Sequence, residues 1–249
     1  MLILLPPSET KHPDGSGPPL DVAALRLTSL EPQRRAALDA LVALSADEES
    51  AARVLKLSPR QRGEVAVNAA LWSAPTMPAM DRYTGVLFDA LDAATLDSGA
   101  REWLADHVLI HSAPFGPVGA GDGLPSYRLG AGVRLPGLAS VKAHWARETT
   151  KAIAEANADF ILDLRSEAYV ALGPVPSEVP SAFVRVVTRT EGGQVRALNH
   201  FNKHAKGAFV RALAQSGAHI GSATELLDWA SRNGFELSRA EREWQLVTA

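Results

Sequence analysis

Nine consecutive residues, Asn199-His200-Phe201-Asn202-Lys203-His204-Ala205-Lys206-Gly207, set two lysines three apart among amide and imidazole side chains. They lie in a longer stretch, between Glu191 and Glu225, where Arg196, Lys203, Lys206 and Arg211 meet no carboxylate. Exposed faces ordinarily mix signs. In a chain of net charge -3, an unopposed run of cations suits an anion, and a phosphate-bearing partner is the expectation. The segment reads as a strand running into a helix. Free backbone N–H groups and the positive end of the helix dipole would favour an anion there, with Lys203 and Lys206 one turn apart. A solvated first turn would give the same pattern, although cations at that end oppose the dipole. Phe201 is expected in the core.

Other segments carry similar chemistry. Ser8, Glu9, Thr10 and Lys11 follow an apolar run, and ligands of α/β folds collect beyond the carboxyl ends of strands; Lys11 would meet a phosphate there or stand as a surface lysine. Arg82-Tyr83 and Tyr127-Arg128 each set a guanidinium beside a phenol, able to fork onto phosphate or carboxylate and to stack on a base. Structural arginine–carboxylate pairs give the same pattern. Asp163-Leu164-Arg165-Ser166-Glu167-Ala168-Tyr169 supplies groups for acid–base work or for orienting a ribose. Of these, Arg165 and Ser166 are the candidates, and Ser166 would equally serve as an N-cap. Two more acid-free windows hold Arg53, Lys56, Arg60 and Arg62, then Arg128, Arg134, Lys142 and Arg147.

Much is excluded. With no cysteine, disulfides, thiolate catalysis, zinc ribbons and iron–sulfur ligation are ruled out, so any redox role is indirect. His200 and His204 stand four apart, as do His107 and His111 on a probable strand, but no third ligand is identifiable and no metal or cofactor is expected. Walker, nucleophile-elbow and dinucleotide-binding glycine patterns are absent. Gly119 to Gly123 reads as a flexible loop. A pI near 6.2 argues against a protein that coats DNA by bulk charge, so local patches must do the binding.

The elements that must position these residues are readable in outline. At 249 residues and 46% hydrophobic content, the chain buries a sizeable core, and no flexible linker divides it, so a single domain over residues 1–249 is expected. Met1 to Leu5 is too short to cross a membrane and reads as a buried first strand, with cytoplasmic location expected. His12 to Pro19 reads as a loop. A long, mostly helical insertion follows over about residues 21–107, with Ser58-Pro59 opening a helix to about Leu71. Strands are expected at His107–Ile110 and Phe160–Leu162, with a Gly/Pro-rich loop over Ala113–Pro125 and a helix over about Leu138–Ala156 between them. A hairpin of Ala182–Thr190 with Gln194–Asn199 is expected across Gly192-Gly193. The result is an α/β mixed (α+β) fold, a mixed central sheet flanked by helices.

Taken together, the apolar start with its Pro/Ser/Lys loop, Arg82-Tyr83-Thr84-Gly85, Ser112–Gly116 leading to Pro125-Ser126-Tyr127-Arg128-Leu129, Gly132-Val133-Arg134-Leu135, Trp145, Leu164-Arg165-Ser166 with Tyr169, and Phe201-Asn202-Lys203 with Lys206-Gly207 resemble the YaaA family, the UPF0246 or DUF328 peroxide-stress proteins. The segments are numerous and collinear. Better-known members carry Ser-Pro-Ala-Lys-Thr in the first loop, so Glu9 stands where their lysine stands and Lys11 lies two positions on. Where they commonly read Ser-Asp-Glu-Tyr, this chain has Ala168 in place of the glutamate. The resemblance implies a cytoplasmic stress protein that binds nucleic acid, double-stranded or branched DNA, and limits peroxide damage promoted by iron. It implies no established enzymatic activity. It also suggests a helix-hairpin-helix DNA contact through Arg53, Lys56, Arg60 and Arg62, though the usual glycine between the helices is missing. The expected anion-binding set is Lys11, Arg82, Tyr83, Arg128, Arg165, Ser166, Lys203 and Lys206. The alternatives are an enzyme acting on a nucleotide or similar small phosphorylated molecule in the same cleft, and a partner-binding protein with incidental basic patches.

Overall fold

The computed structural model describes residues 1–189, 195–196, 199–240 and 243–248. Its strands are β1 (Leu2–Leu5), β2 (Gly17–Pro19), β3 (Pro75–Pro78), β4 (Val108–Ser112), β5 (Gly116–Gly119), β6 (Gly123–Leu124), β7 (Ile161–Asp163), β8 (Ser181–Arg189), β9 (Val195–Arg196), β10 (Glu236–Arg239) and β11 (Trp244–Thr248). The helices are α1 (Glu31–Leu44), α2 (Glu48–Val54), α3 (Glu64–Ala69), α4 (Ala79–Arg82), α5 (Val86–Leu91), α6 (Ser98–His107), α7 (Val141–Glu155), α8 (Glu167–Val170), α9 (Asn199–Ser216) and α10 (Ala223–Arg232).

The main sheet runs β10-β11-β8-β7-β1-β4-β5, with β9 added beside β8. From β11 through β4 the neighbours are parallel; β10, β5 and β9 pair antiparallel. The architecture is therefore α/β with a mixed sheet. β1 lies inside it, between β7 and β4, and all four of its residues are buried. Alternation sends Ile3 and Leu5 into the larger core and Leu2 and Leu4 into a smaller one with Leu109, Ile153 and Ile161. An uninterrupted apolar run is what a strand covered on both faces requires.

Two parts of the chain are more ordered than their composition suggests. The insertion is helical as expected but also contains β3, while β2 occupies the end of the His12–Pro19 stretch expected as a loop; β2 and β3 form a three-stranded sheet with β6. The Gly/Pro-rich stretch after β4, expected as a loop, turns straight back as β5. Gly119 lies in that strand and donates its N–H to Asp122 at 2.8 Å. Gly116 is what permits the reversal: its φ is +65°, and a Cβ there would stand 2.9 Å from the Trp145 ring.

The expected helix after Ser58-Pro59 is divided. Ser58 and Gln61 form a capping box on one 3-10 turn, Pro59–Gln61, and α3 begins again at Glu64. The β8·β9 hairpin pairs Thr188 with Arg196 and Arg189 with Val195; its Gly192-Gly193 turn lies outside the described residues. α9 packs against α5 because residue 207 is glycine, since a Cβ there would sit 2.1 Å from the Leu87 carbonyl oxygen. Among the described residues no helix is long and apolar enough to cross a membrane.

Candidate functional site

The chain leaves β1 toward β4 and later returns past β1 to β7, so the sheet order reverses beside its first strand. Loops diverge at such a point and leave a crevice at the carboxyl ends of the strands. A cavity of about 590 Å³ opens there. Its walls come from the Pro6–Lys11 loop after β1, from Tyr127–Ala131, from Arg165–Tyr169 after β7, from the middle of β8, and from Asn202, Lys203 and Lys206 on α9.

The floor is a dense polar assembly. Arg165 is fully buried and grips Asp163 with two parallel bonds, Nε to Oδ1 at 2.9 Å and Nη2 to Oδ2 at 2.6 Å. Its Nη1 donates to His111 Nδ1 and to the Gly173 carbonyl, both at 2.9 Å. A guanidinium has no lone pair to offer, so His111 must accept through Nδ1 and carry its proton on Nε2. Burial, reinforced by Arg165, holds His111 well below its ordinary pKa and so neutral. Lys206 donates to the Leu164 carbonyl at 2.9 Å, and burial lowers it to about 8 against the opposing pull of Asp163.

Lys11 reaches the cavity from the β1 side. Its Nζ donates to the carbonyls of Ser8 and Glu9, each at 3.1 Å, and lies 4.0 Å from the centre of the Tyr127 ring. Burial, with Arg128 adding to it, lowers this lysine to about 7. Tyr127 in turn shares a hydrogen bond of 2.8 Å with Tyr83, hydroxyl to hydroxyl, and burial raises both phenols. Across the mouth Arg128 pairs with Glu9 at 3.1 Å. Lys203 is exposed at the rim, as is the Ser166 side chain at the start of α8, where it makes no capping bond.

The cavity thus gathers Lys11, Arg128, Arg165, Ser166, Lys203 and Lys206 from the expected set. It does not gather Arg82 or Tyr83. Arg82 is fully buried and donates to the carbonyls of His12, Asp14, Leu124 and Pro75. Those carbonyls belong to irregular and short-strand segments that need donors, and the guanidinium supplies them. Tyr83 stacks on Phe88 and lies beneath the cavity, where no base reaches its face. Arg211 likewise serves the chain, closing the end of α5 through the carbonyls of Leu91 and Asp92. The Arg196, His200 and Phe201 side chains lie outside the described residues.

Sequence reasoning missed Arg185, which projects from β8 into the cavity and pairs with Glu167 and Glu243. Arginine within a strand gives no motif; only the pairing of β8 with β7 brings it there. His107 and His111, expected on one strand, are divided between two elements: His107 ends α6 and stacks on Trp103, while His111 lies in β4. Among the described residues no group of acids and histidines could hold a metal ion.

Arg53, Lys56, Arg60 and Arg62 are all exposed on and between α2 and α3. Arg62 pairs with Glu49, and Arg53 donates to Ser50 at 3.1 Å. A second depression of about 440 Å³ reaches this helix pair, lined by Arg60, Gly63 and Glu64 together with Lys11. Lys11 therefore borders both cavities.

Comparison with known proteins identifies the family. A family model described as "Peroxide stress protein YaaA" matches residues 1–241. A UPF0246 protein of Corynebacterium efficiens is 44% identical over 252 residues, covering 100% of this chain and 99% of its own length. A UPF0246 protein of Streptomyces coelicolor is 42% identical over 255 residues, covering 99% and 97%. With the match extending over nearly the whole sequence, the chain belongs to the YaaA family of peroxide stress proteins, also designated UPF0246.

Proposed function

We propose that this cytoplasmic protein binds nucleic acid, double-stranded or branched DNA, along a cationic cleft and so limits damage that peroxide and iron would inflict on it. The observation that carries the reading is the position of Lys11, which borders both the strand-end cavity and the depression leading to Arg60 on the helix pair. A ligand lying along both would pass Lys203, Arg128, Lys11 and Arg60 in turn. Phosphate contacts of this kind supply affinity with little sequence specificity. The test is salt dependence: Lys203→Ala and Arg60→Ala should each weaken binding and flatten the slope of log affinity against log salt by about 0.9 per lost contact. A slope near zero in the parent protein overturns the reading.

A second reading has its own support. The strand-end cavity has the volume of a small-molecule site, which suits an enzyme acting on a nucleotide or similar small anion. A thermal-shift panel separates the two, since a small ligand that stabilises the protein at micromolar concentration favours the enzyme.

A further inference from the structure

We propose that Lys11 is a nucleophile that forms an imine with an aldehyde carried on a phosphorylated sugar held in the strand-end cavity. The phosphate part of this proposal rests on the anion-binding reading above; the amine chemistry does not. Lys11 is built into place. Its backbone bridges Tyr83, the flanking Thr84 N–H donates to the Thr10 carbonyl at 3.2 Å, and His12 N–H donates to the Arg82 carbonyl at 2.9 Å. The aminobutyl chain then carries Nζ to the cavity wall, where the Ser8 and Glu9 carbonyls hold it.

A neutral amine has two N–H groups and one lone pair. Those two carbonyls account for both N–H groups, leaving the lone pair as the group available to a carbon electrophile. Among the described residues no carboxylate forms an ion pair with Nζ, while Arg128 stands close enough to disfavour its charge. The face of Tyr127 and the carboxylates of Glu64 and Glu9 favour the ammonium. Burial and the neighbouring guanidinium outweigh them and lower the amine to about 7, so that free amine is present near neutral pH. Arg128 and Lys203 supply the cations for the phosphate at the same cavity.

The step balances without a co-reactant. The lone pair adds to the aldehyde carbon as the carbonyl π pair moves to oxygen, which is protonated. The resulting carbinolamine loses that oxygen as water, which carries off both Nζ protons, and leaves an imine between Nζ and the sugar carbon. The same chemistry is offered by the opened deoxyribose of an abasic site in DNA and by a free sugar phosphate.

The test is reductive trapping of the full chain with cyanoborohydride, in separate arms with glyceraldehyde 3-phosphate, an abasic duplex and unphosphorylated glyceraldehyde, followed by peptide mapping. The expected result is one adduct, on Lys11, at least roughly tenfold over the exposed Lys56, Lys142 and Lys151, none of which lines the cavity or is desolvated by it. Its rate should rise through pH 7, and Lys11→Arg should abolish it. Adduct with the duplex identifies nucleic acid as the source, and adduct with the free sugar phosphate alone identifies a small metabolite. Adducts scattered over exposed lysines, or centred on Lys206, overturn the proposal even where that variant fails to fold, since the parent map decides. Equal trapping of glyceraldehyde removes the phosphate from the proposal. Salt-dependent DNA binding without a Lys11 adduct sinks the imine and leaves the binding reading intact.

Discussion

The floor of the cleft and the α2–α3 pair both carry cations, yet at the floor Arg165, Lys206 and the nearby Arg82 are committed to internal partners, whereas Arg53, Lys56, Arg60 and Arg62 stand in solvent. Arg34 extends the contrast. It too is fully buried and donates to four backbone carbonyls, those of Phe115, Leu25, Arg26 and Pro117. In this fold the buried arginines organise irregular chain, while exposed ones such as Arg60 stand at the surface where a ligand could reach them. Substituting the first kind should therefore cost stability, and substituting the second kind should cost binding.

The sharpest way to break that comparison is Arg165→Met. It would leave Asp163 buried without its partner and remove donors from His111 and Gly173. Breaking a buried pair from one side costs about 3–5 kcal/mol. Urea unfolding should show that loss, and Arg165→Met combined with Asp163→Leu should recover much of it. Arg60→Ala should stay within about 0.5 kcal/mol of the parent. A mild Arg165→Met would mean that the floor is not held by this pair.

Next in size is Gly207→Ala on the helix that carries Lys203 and Lys206. Intrinsic propensity alone favours alanine by about 1 kcal/mol in a helix interior. The Leu87 carbonyl, 2.1 Å from the new Cβ, predicts the opposite sign, a loss of about 1–3 kcal/mol from overpacking. The midpoint of denaturant unfolding reads the sign directly.

The contrast between buried and exposed cations also explains what was legible in the sequence. β1, β4 and β7 were readable because apolar runs are local signals; α7, expected over about Leu138–Ala156, spans Val141–Glu155. β5 and β6 were not, because glycine and proline argue for a loop; the approach of β4 and of the Trp145 ring selects β5, and pairing with β3 selects β6. For the site, the cations of Lys11, Arg128, Lys203 and Lys206 were visible as types, and their meeting at one cavity depends on the sheet order. Arg82 looked the same as Arg128 in sequence. What separates them is that one faces orphan carbonyls and the other a cavity mouth, a tertiary fact with no local signature. Glu9 was noted only as a departure at a lysine position, and its pairing with Arg128 shows that the exchange also set a carboxylate at the rim.

Lysines at the floor should leave a mark on the pH dependence of stability. The ordinary pKa of 10.5 is lowered to about 7 for Lys11 and about 8 for Lys206. Between those values and 10.5 the unfolded chain binds more protons than the folded one, so stability rises with pH across that window. Well below pH 7 both folded groups are charged and the penalty is constant. Chemical denaturation at pH 6.5, 8 and 9.5 should show the rise, and Lys11→Met should flatten it. A parent protein whose stability falls over this window would mean that these amines are not desolvated.

The smallest effect belongs to the helix pair. α2 ends in a Schellman motif: Leu57 N–H donates to the Ala52 carbonyl at 2.9 Å and Lys56 N–H to the Arg53 carbonyl at 3.3 Å. Lys56 itself takes the left-handed conformation, φ +57°, that a glycine would adopt without strain. A lysine thus holds a left-handed helix C-cap at which glycine is the commoner residue. Lys56→Gly should relieve the steric cost while enlarging the freedom of the unfolded chain, a net gain of about 0.5–1 kcal/mol. The same substitution divides two modes of contact. If phosphate is met by backbone N–H groups of the turn, DNA affinity holds or improves as the turn tightens; if Lys56 meets it as a point charge, affinity falls and the salt slope flattens by about 0.9. A stabilised variant with unchanged salt slope assigns any contact at this turn to the backbone, and then the exposed cations of this pair matter less than their exposure suggests.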